Sequence, residues 1–240
     1  MQRMLGLMRK AIHDYDMIRP GDKILVGLSG GKDSVVLLTG LARLRHFLGV
    51  DFQVEALTLD MGFGGVRQDL SQLETLCHTL EVPYTIKATD IGPIIFDQRQ
   101  EPNPCSLCAR MRRGAIHDTA KELGCNKVAL GHHADDAVET FLMNLFNEGR
   151  VGCFSPVTYL SRKDLFVIRP MVYAWEKDVI HAQRSEDLPV VKSKCPADKV
   201  TNRQWTKDFL RGLEKQNPGV KQRILGAMER GGVNGWGKVL

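Results

Sequence analysis

The segment that most restricts the folds open to this chain runs from Lys23 to Phe47. It begins with the apolar run KILVGL, passes through the turn Ser29-Gly30-Gly31-Lys32-Asp33-Ser34, and ends in an amphipathic stretch of helical period. So short an apolar run suits a strand covered on both faces better than a buried helix. A strand fed into a helix by a glycine turn is the first half of a βαβ unit, and the alternation recurs down the chain. Asp51 to Asp60 reads as a second strand, with a helical pattern from Val66 to Leu80 behind it, and Tyr84 to Ala88 as a short third strand. Ser106 to Leu123 is helical, Lys127 to Leu130 a strand, and Ala134 to Asn147 helical again. The expected fold class is α/β: an open, parallel, Rossmann-like sheet with helices on both faces.

Beyond Asn147 the alternation fades. Pro156 to Pro170 has room for two short strands and Trp175 to Ser185 for a helix, while Thr201 to Arg230 is helical and basic, broken at Asn217-Pro218-Gly219. The expected organisation is one α/β domain over residues 1–190 and a small helical C-terminal extension over 191–240, which carries Cys195. Neither an internal repeat nor a low-complexity segment is visible.

Composition narrows the function classes. Hydrophobic residues at 43% and charged residues at 25% of 240 exclude a collagenous or largely disordered chain. Lys and Arg total 33 against 28 for Asp and Glu, and the net +5 permits a nucleic-acid partner without requiring one. No window reaches about 18 consecutive apolar residues, so a membrane partner is not expected. Met1 to Lys10 mixes Arg3, Arg9 and Lys10 with Met and Leu and has no cleavage-site pattern, unlike a signal peptide. The expected location is the cytoplasm, where six cysteines argue for metal binding, catalysis or burial rather than disulfides.

The turn Ser29 to Ser34 is an anion site in physical terms. Its glycines admit close backbone approach, the following helix presents free N–H groups, and Lys32 adds charge. It is not a Walker A loop, because Val26 stands at the first glycine position and Asp33 where Ser or Thr is needed. A carboxylate inside a phosphate cradle suggests Mg²⁺ bridging Asp33 to phosphate oxygens. A second turn, Gly131-His132-His133-Ala134-Asp135-Asp136, also follows a strand and opens a helix, so it can face the first across the crevice. Its acids suit either a nucleotide site or plain complementation of the helix dipole, and the histidines suit either metal ligation or capping.

Cys105-Ser106-Leu107-Cys108 leads into a helix, where two thiolates at this spacing can grip one metal. No second pair is present: Cys195 stands alone, Cys77 and Cys125 fall in or beside helical patterns as core residues, and Cys153 is uninformative. Three thiolates leave one coordination position open, which in a [4Fe–4S] cluster can bind an exogenous ligand such as sulfide. A zinc site completed by a histidine and a redox dithiol are the competing readings of the same residues.

The turn Ser29 to Ser34 resembles the signature of the PP-loop, or N-type ATP pyrophosphatase, superfamily, whose members cleave ATP between the α and β phosphates and adenylate a carbonyl oxygen. With Cys105 to Arg113 (CSLCARMRR), Lys127 to Arg150, Ile168 to Asp178 (IRPMVYAWEKD) and Arg203 to Leu210 (RQWTKDFL), the chain resembles the TtcA family, the tRNA 2-thiocytidine biosynthesis proteins, over nearly its whole length. The resemblance implies a PP-loop ATP pyrophosphatase domain of the adenine nucleotide alpha hydrolase type. It also implies ATP bound by Ser29, Gly30, Gly31, Lys32, Asp33 and Ser34, with Asp60, Gly131 and Asp135 completing the nucleotide site. It implies an oxygen-sensitive [4Fe–4S] cluster on Cys105, Cys108 and Cys195. Related thiouridine enzymes use a basic residue four positions after the C-x-x-C and an acid in the second turn, positions that fall here on Arg112 and Asp136 beside the catalytic Asp33. One departure stands out: the family usually has a second C-x-x-C near the C-terminus, and this chain has Lys192-Ser193-Lys194-Cys195.

The implied activity is ATP-dependent tRNA thiolation with Mg²⁺. The C2 carbonyl oxygen of a base is adenylated, and sulfur, supplied by a cysteine desulfurase or as sulfide, then replaces it. Candidate tRNA contacts are Arg110 and Arg113 beside the C-x-x-C and Arg203 and Lys207 in the basic stretch, which otherwise reads as a solvated face. A homodimer is compatible with these features. The rivals are a 2-thiouridine synthetase, a lysidine synthetase, and a non-enzymatic iron–sulfur nucleotide sensor.

Overall fold

The computed structural model describes residues 1–65, 67–99, 104–192, 195–196 and 202–237. The expected positions Val66, Pro102, Ser193, Lys194 and Thr201 lie outside them. Strands β1 (Asp22–Gly27), β2 (Phe52–Asp60), β3 (Tyr84–Ala88), β4 (Lys127–Ala129), β5 (Val157–Leu160) and β6 (Leu165–Ile168) form one sheet in the order β3-β2-β1-β4-β6-β5. All neighbours pair in parallel except β5 and β6, which form an antiparallel edge hairpin. The expected open parallel sheet is present over β3, β2, β1, β4 and β6, and the two short strands expected over Pro156 to Pro170 form this edge hairpin. Only Ser161 to Asp164 separate these two strands, too short a link for the helical crossover that parallel neighbours need.

Period-two alternation sorts the central strands onto two faces. Ile24, Val26 and Leu28 enter the main core, which also receives α1 (Gln2–Asp14), α2 (Lys32–Leu44), α3 (Ser71–Thr79), α6 (Ala134–Glu148) and α7 (Glu176–Ser185). Leu25, Leu57 and Val128 face the other way, under α5 (Pro104–Glu122) with Ala120 and Cys125. Between β3 and α5 lie a short helical turn α4 (Ile91–Pro93) and a π-type turn over Ile94–Arg99. Helix α3 begins at Ser71 rather than near Val66, where the Asp69 carboxylate accepts from the Ser71 amide and starts the helix. Helix α1 carries Met4, Met8, Ala11 and Ile12 on one buried stripe.

The C-terminal helices α8 (Asn202–Gln216) and α9 (Val220–Arg230) pack on α6, and Leu210, Leu225, Met228 and Trp236 belong to the main core. Trp236 is fully buried; its indole N–H donates to the Phe154 carbonyl at 2.7 Å, and its own carbonyl accepts from the Tyr15 hydroxyl at 2.9 Å. The extension is thus wedged against the α/β layers, sharing their core. Among the described residues no helix is long and apolar enough to cross a membrane.

Candidate functional site

The chain fills the sheet to one side of β1 with β2 and β3, then to the other with β4 and β6. The turns after β1 and β4 therefore part at the carboxyl edge and leave a crevice, the place where open α/β sheets bind ligands. The first turn is tied into a cradle by its own hydroxyls. The Ser29 amide donates to Ser34 Oγ at 3.1 Å, and Ser34 Oγ donates to the Gly31 carbonyl at 2.9 Å. Gly30 has φ +80°, a left-handed conformation that a side chain resists, and Gly31 caps α2 so that Lys32 is its first residue. A glycine turn at a helix N-terminus with a lysine as its first helical residue suits an anion.

Asp33 meets the second turn. A Cβ on Gly131 would stand 3.1 Å from the Asp33 carbonyl carbon and oxygen, so only glycine allows the two turns this close. His133 caps α6: its Nδ1 accepts from the Asp136 amide while Asp136 Oδ2 accepts from the His133 amide at 2.9 Å, a reciprocal capping box. The His133 Nε2 edge lies 3.7 Å from Asp33 Oδ1. That oxygen is buried without a hydrogen bond, although Lys32 Nζ lies 3.1 Å away off the donor line. An orphaned carboxylate oxygen inside a phosphate cradle fits a divalent cation.

The acids of the second turn are each held by a base from the C-terminal helices. Arg203 donates to Asp136 Oδ1 at 2.9 Å, and Lys221 to Asp135 Oδ1 at 2.6 Å. Asp135 Oδ2 accepts the Glu176 amide at 2.7 Å, so both oxygens of Asp135 brace the junction of α6, α7 and α9. Glu176, at the start of α7, lies between Lys207 at 2.7 Å and Lys32 at 3.3 Å. Burial alone would raise the Glu176 carboxyl, but the two lysines outweigh it and hold it down at about 2. Burial likewise lowers Lys32, and Asp33 and Glu176 more than reverse this, so Lys32 stays charged. Glu139, buried behind Asp136, is pushed up to about 7, first by burial and then by Asp136. Asp60 ends β2 at the same edge, its Oδ1 accepting the Gly62 amide at 3.2 Å.

The cysteines occupy the other flank of the cradle. Cys105 is exposed and Cys108 half-buried in the first turns of α5; Cys195 is half-buried. The segment leading to Cys195 is tied to the phosphate loop by the Val191 amide donating to the Gly30 carbonyl at 2.9 Å. The Cys108 thiol is raised by burial, favoured toward thiolate by Arg112, and raised again by Cys195 and Cys105, which places the three sulfurs in one neighbourhood. Among the described residues no three His, Cys, Asp or Glu side chains close into a single-ion site. An all-sulfur donor set fits an iron–sulfur cluster, whose ligands are cysteine thiolates. Cys77 and Cys125 are buried in the two cores, and Cys153 is half-buried. Arg110, Arg112 and Arg113 are exposed on α5, whereas Arg203 and Lys207 are engaged with Asp136 and Glu176.

Sequence reasoning missed Glu176 and left the histidines undecided; the one signal was the acid opening a helix after Trp175. His133 is a cap. His132 accepts on Nδ1 from Arg169 Nε at 3.3 Å and is pushed down to about 4, first by burial and then by Arg169.

The PP-loop domain family matches residues 4–211. The tRNA-cytidine(32) 2-sulfurtransferase of Pelobacter propionicus is 39% identical over 95% of this chain and 85% of its own length. That of Geobacter sulfurreducens is 39% identical over 91% and 86%. Among solved structures, the U34-tRNA thiolase NcsA of Methanococcus maripaludis with its [4Fe-4S] cluster superposes with a TM-score of 0.80 at 27% identity, covering 95% of this chain and 77% of that one. This chain belongs to the PP-loop domain family and, within it, to the tRNA-cytidine 2-sulfurtransferases.

Proposed function

We propose that this protein is an ATP-dependent tRNA-cytidine 2-sulfurtransferase, acting on cytidine 32 as its relatives' name states. The observation that carries the reading is the cradle itself: an orphaned Asp33 oxygen between the phosphate loop and the capped turn of α6, with three thiols on its other flank. A C2 carbonyl oxygen departs poorly from a base. Its attack on the α-phosphorus of ATP releases pyrophosphate and converts that oxygen into part of an AMP leaving group. Sulfur then adds at C2 and AMP departs with the oxygen.

In this reading Ser29, Gly30, Gly31 and Ser34 hold the phosphates, and Lys32 neutralises charge on the leaving pyrophosphate. Asp33 would hold Mg²⁺, which supplies Lewis-acid polarisation of the phosphates. Asp136, oriented by Arg203, is the acid or base at the reacting base, and Arg112 steadies the flank where sulfur enters. Asp60 and Gly131 border the nucleotide, and Asp135 fixes the turn. Cys105, Cys108 and Cys195 would hold a [4Fe–4S] cluster, which when bound supplies an iron position not taken by protein sulfur. The target base must leave its stack to reach this crevice.

We assign residues 1–190 to the PP-loop domain and 191–240 to the helical extension whose cations meet the site acids. The sulfur donor is sulfide or a cysteine desulfurase. The location is the cytoplasm, the setting in which a cysteine set suited to metal binding keeps its thiols reduced. A homodimer is supported by the exposed, mutually packed rings of Phe146, Trp205 and Phe209. The test is anaerobic incubation of the iron-loaded protein with tRNA, ATP, Mg²⁺ and sulfide, followed by mass spectrometry of the nucleosides. The expected product is 2-thiocytidine with one pyrophosphate per sulfur. Thiolated uridine would move the reading to the thiouridine enzymes, and no thiolated base would overturn it.

A further inference from the structure

Arg169 follows β6 at the carboxyl edge of the sheet, one strand beyond the second turn, and is 9% exposed. A guanidinium this deep ordinarily sits against a carboxylate, because an uncompensated buried cation is costly. Among the described residues Arg169 has no acidic partner. Its Nη1 donates to the Ser155 carbonyl and, at 3.2 Å, to Thr158 Oγ1; its Nε donates to His132 Nδ1 at 3.3 Å; its face covers the Phe154 ring at 5.0 Å. Nη2 finds no hydrogen-bond partner among the described residues, yet it is not a sealed orphan, since Asp33 Oδ1 is the buried atom in that condition.

His132 completes the arrangement. Accepting on Nδ1 assigns its proton to Nε2, and that N–H also finds no partner among the described residues. The ring is half-buried and held over Phe154, with centroids 4.9 Å apart, so its orientation is fixed. The next residue, His133, reaches Asp33. The structure thus presents a fixed guanidinium nitrogen and a fixed imidazole N–H side by side, one residue from the phosphate cradle, with no carboxylate of their own.

We propose that Arg169 and His132 form a second anion subsite, separate from the Ser29–Ser34 cradle, that takes a phosphoryl group. Resting on the thiolation reading, two sources supply that chemistry: the pyrophosphate released from ATP and a backbone phosphate of the extruded tRNA nucleotide. Arg169→Gln removes the charge and leaves a shorter, neutral donor, and Arg169→Lys keeps the charge but loses the fork that holds both His132 and an anion.

The experiment measures two affinities on the holoprotein, for inorganic pyrophosphate and for unmodified tRNA without nucleotide, in wild type, Arg169→Gln and Arg169→Lys. A loss of about tenfold in one arm with Arg169→Gln supports the subsite and identifies its source. In the tRNA arm the slope of log affinity against log salt should also shrink by about one. Arg169→Lys should keep that slope and lose less affinity. Equal affinities for all three proteins in both arms would overturn the subsite. Equal losses in both arms for both variants, with a lowered melting temperature, would also overturn it, making Arg169 a strut for the Ser155–Thr158 hairpin. Absence of 2-thiocytidine with wild-type protein would sink the thiolation reading while leaving either binding result standing.

Discussion

Arg203, Lys207 and Lys221 come to the site from the C-terminal helices, and each ends on a carboxylate: Asp136, Glu176 and Asp135. Arg110, Arg112 and Arg113 flank the same crevice from α5 and meet no carboxylate among the described residues. Both groups are arginine- and lysine-rich stretches of helix, and sequence alone treats them alike. The first group is internal wiring: its charge is spent on holding acids in place. The second is unspent, and only unspent charge attracts a phosphate backbone from a distance. In the proposed reading the C-terminal helices would serve the reaction through position, and α5 would serve the substrate through field.

The largest effect should appear where the flanks meet. Lys32→Ala and Asp33→Ala should each lower pyrophosphate release by about a thousandfold or more, because each removes charge stabilisation that exists only inside the cradle. Release at wild-type rate by either variant would place the chemistry elsewhere. Next in size are the thiols. Cys105→Ser, Cys108→Ser or Cys195→Ser should each lose iron and all thiolation while keeping ATP affinity within about twofold. Iron content and ATP titration on the same preparation check this, and lost ATP binding would mean that the cysteine flank also builds the cradle.

A smaller pair of effects separates the two basic groups. Arg203→Ala should reduce turnover about 10- to 100-fold through misplaced Asp136, with little change in the salt dependence of tRNA binding. Arg110→Gln with Arg113→Gln should do the reverse: turnover at saturating tRNA is kept, affinity falls, and the salt slope shrinks by about two. Filter binding across a salt series beside single-turnover thiolation reads both. If Arg203→Ala changed the slope and the α5 pair did not, the assignment of roles would be inverted.

How much of this was legible beforehand depended on sequence distance. The cradle was readable because all its parts lie within Ser29 to Ser34, and strand β3 was readable residue for residue because turn signals bound a short apolar run. The antiparallel edge hairpin was not, since a short strand looks the same whichever way it runs. Helix α1 went unread behind its methionines, although Met4, Met8, Ala11 and Ile12 follow helical spacing. The acid–base wiring was least legible, because Asp136 and Arg203 are brought together only by packing of α8 on α6, and His132 and Arg169 only by adjacency of β4 and β6.

The smallest expected effect tests whether the acid flank is balanced. With Arg203, Lys207 and Lys221 matched to Asp136, Glu176 and Asp135, Glu139 is left over, buried and pushed up to about 7 by burial and by Asp136. Unfolded, it would release its proton near 4.5. The folded state therefore holds the extra proton between those values, and stability contributed by this group falls as pH rises from about 4.5 to 7 and then levels. Glu139→Gln cannot ionise, so it should match wild type at pH 4 and exceed it at pH 8 by on the order of 1–3 kcal/mol, a melting difference of a few degrees. Calorimetry at the two pH values reads the difference directly. A gap of equal size at both would mean that Glu139 releases its proton at the same pH folded and unfolded, so that burial beside Asp136 exerts no net pull on it. A gap confined to high pH would mean that Glu139 keeps its proton up to about 7 and adds negative charge to the acid flank only above that value.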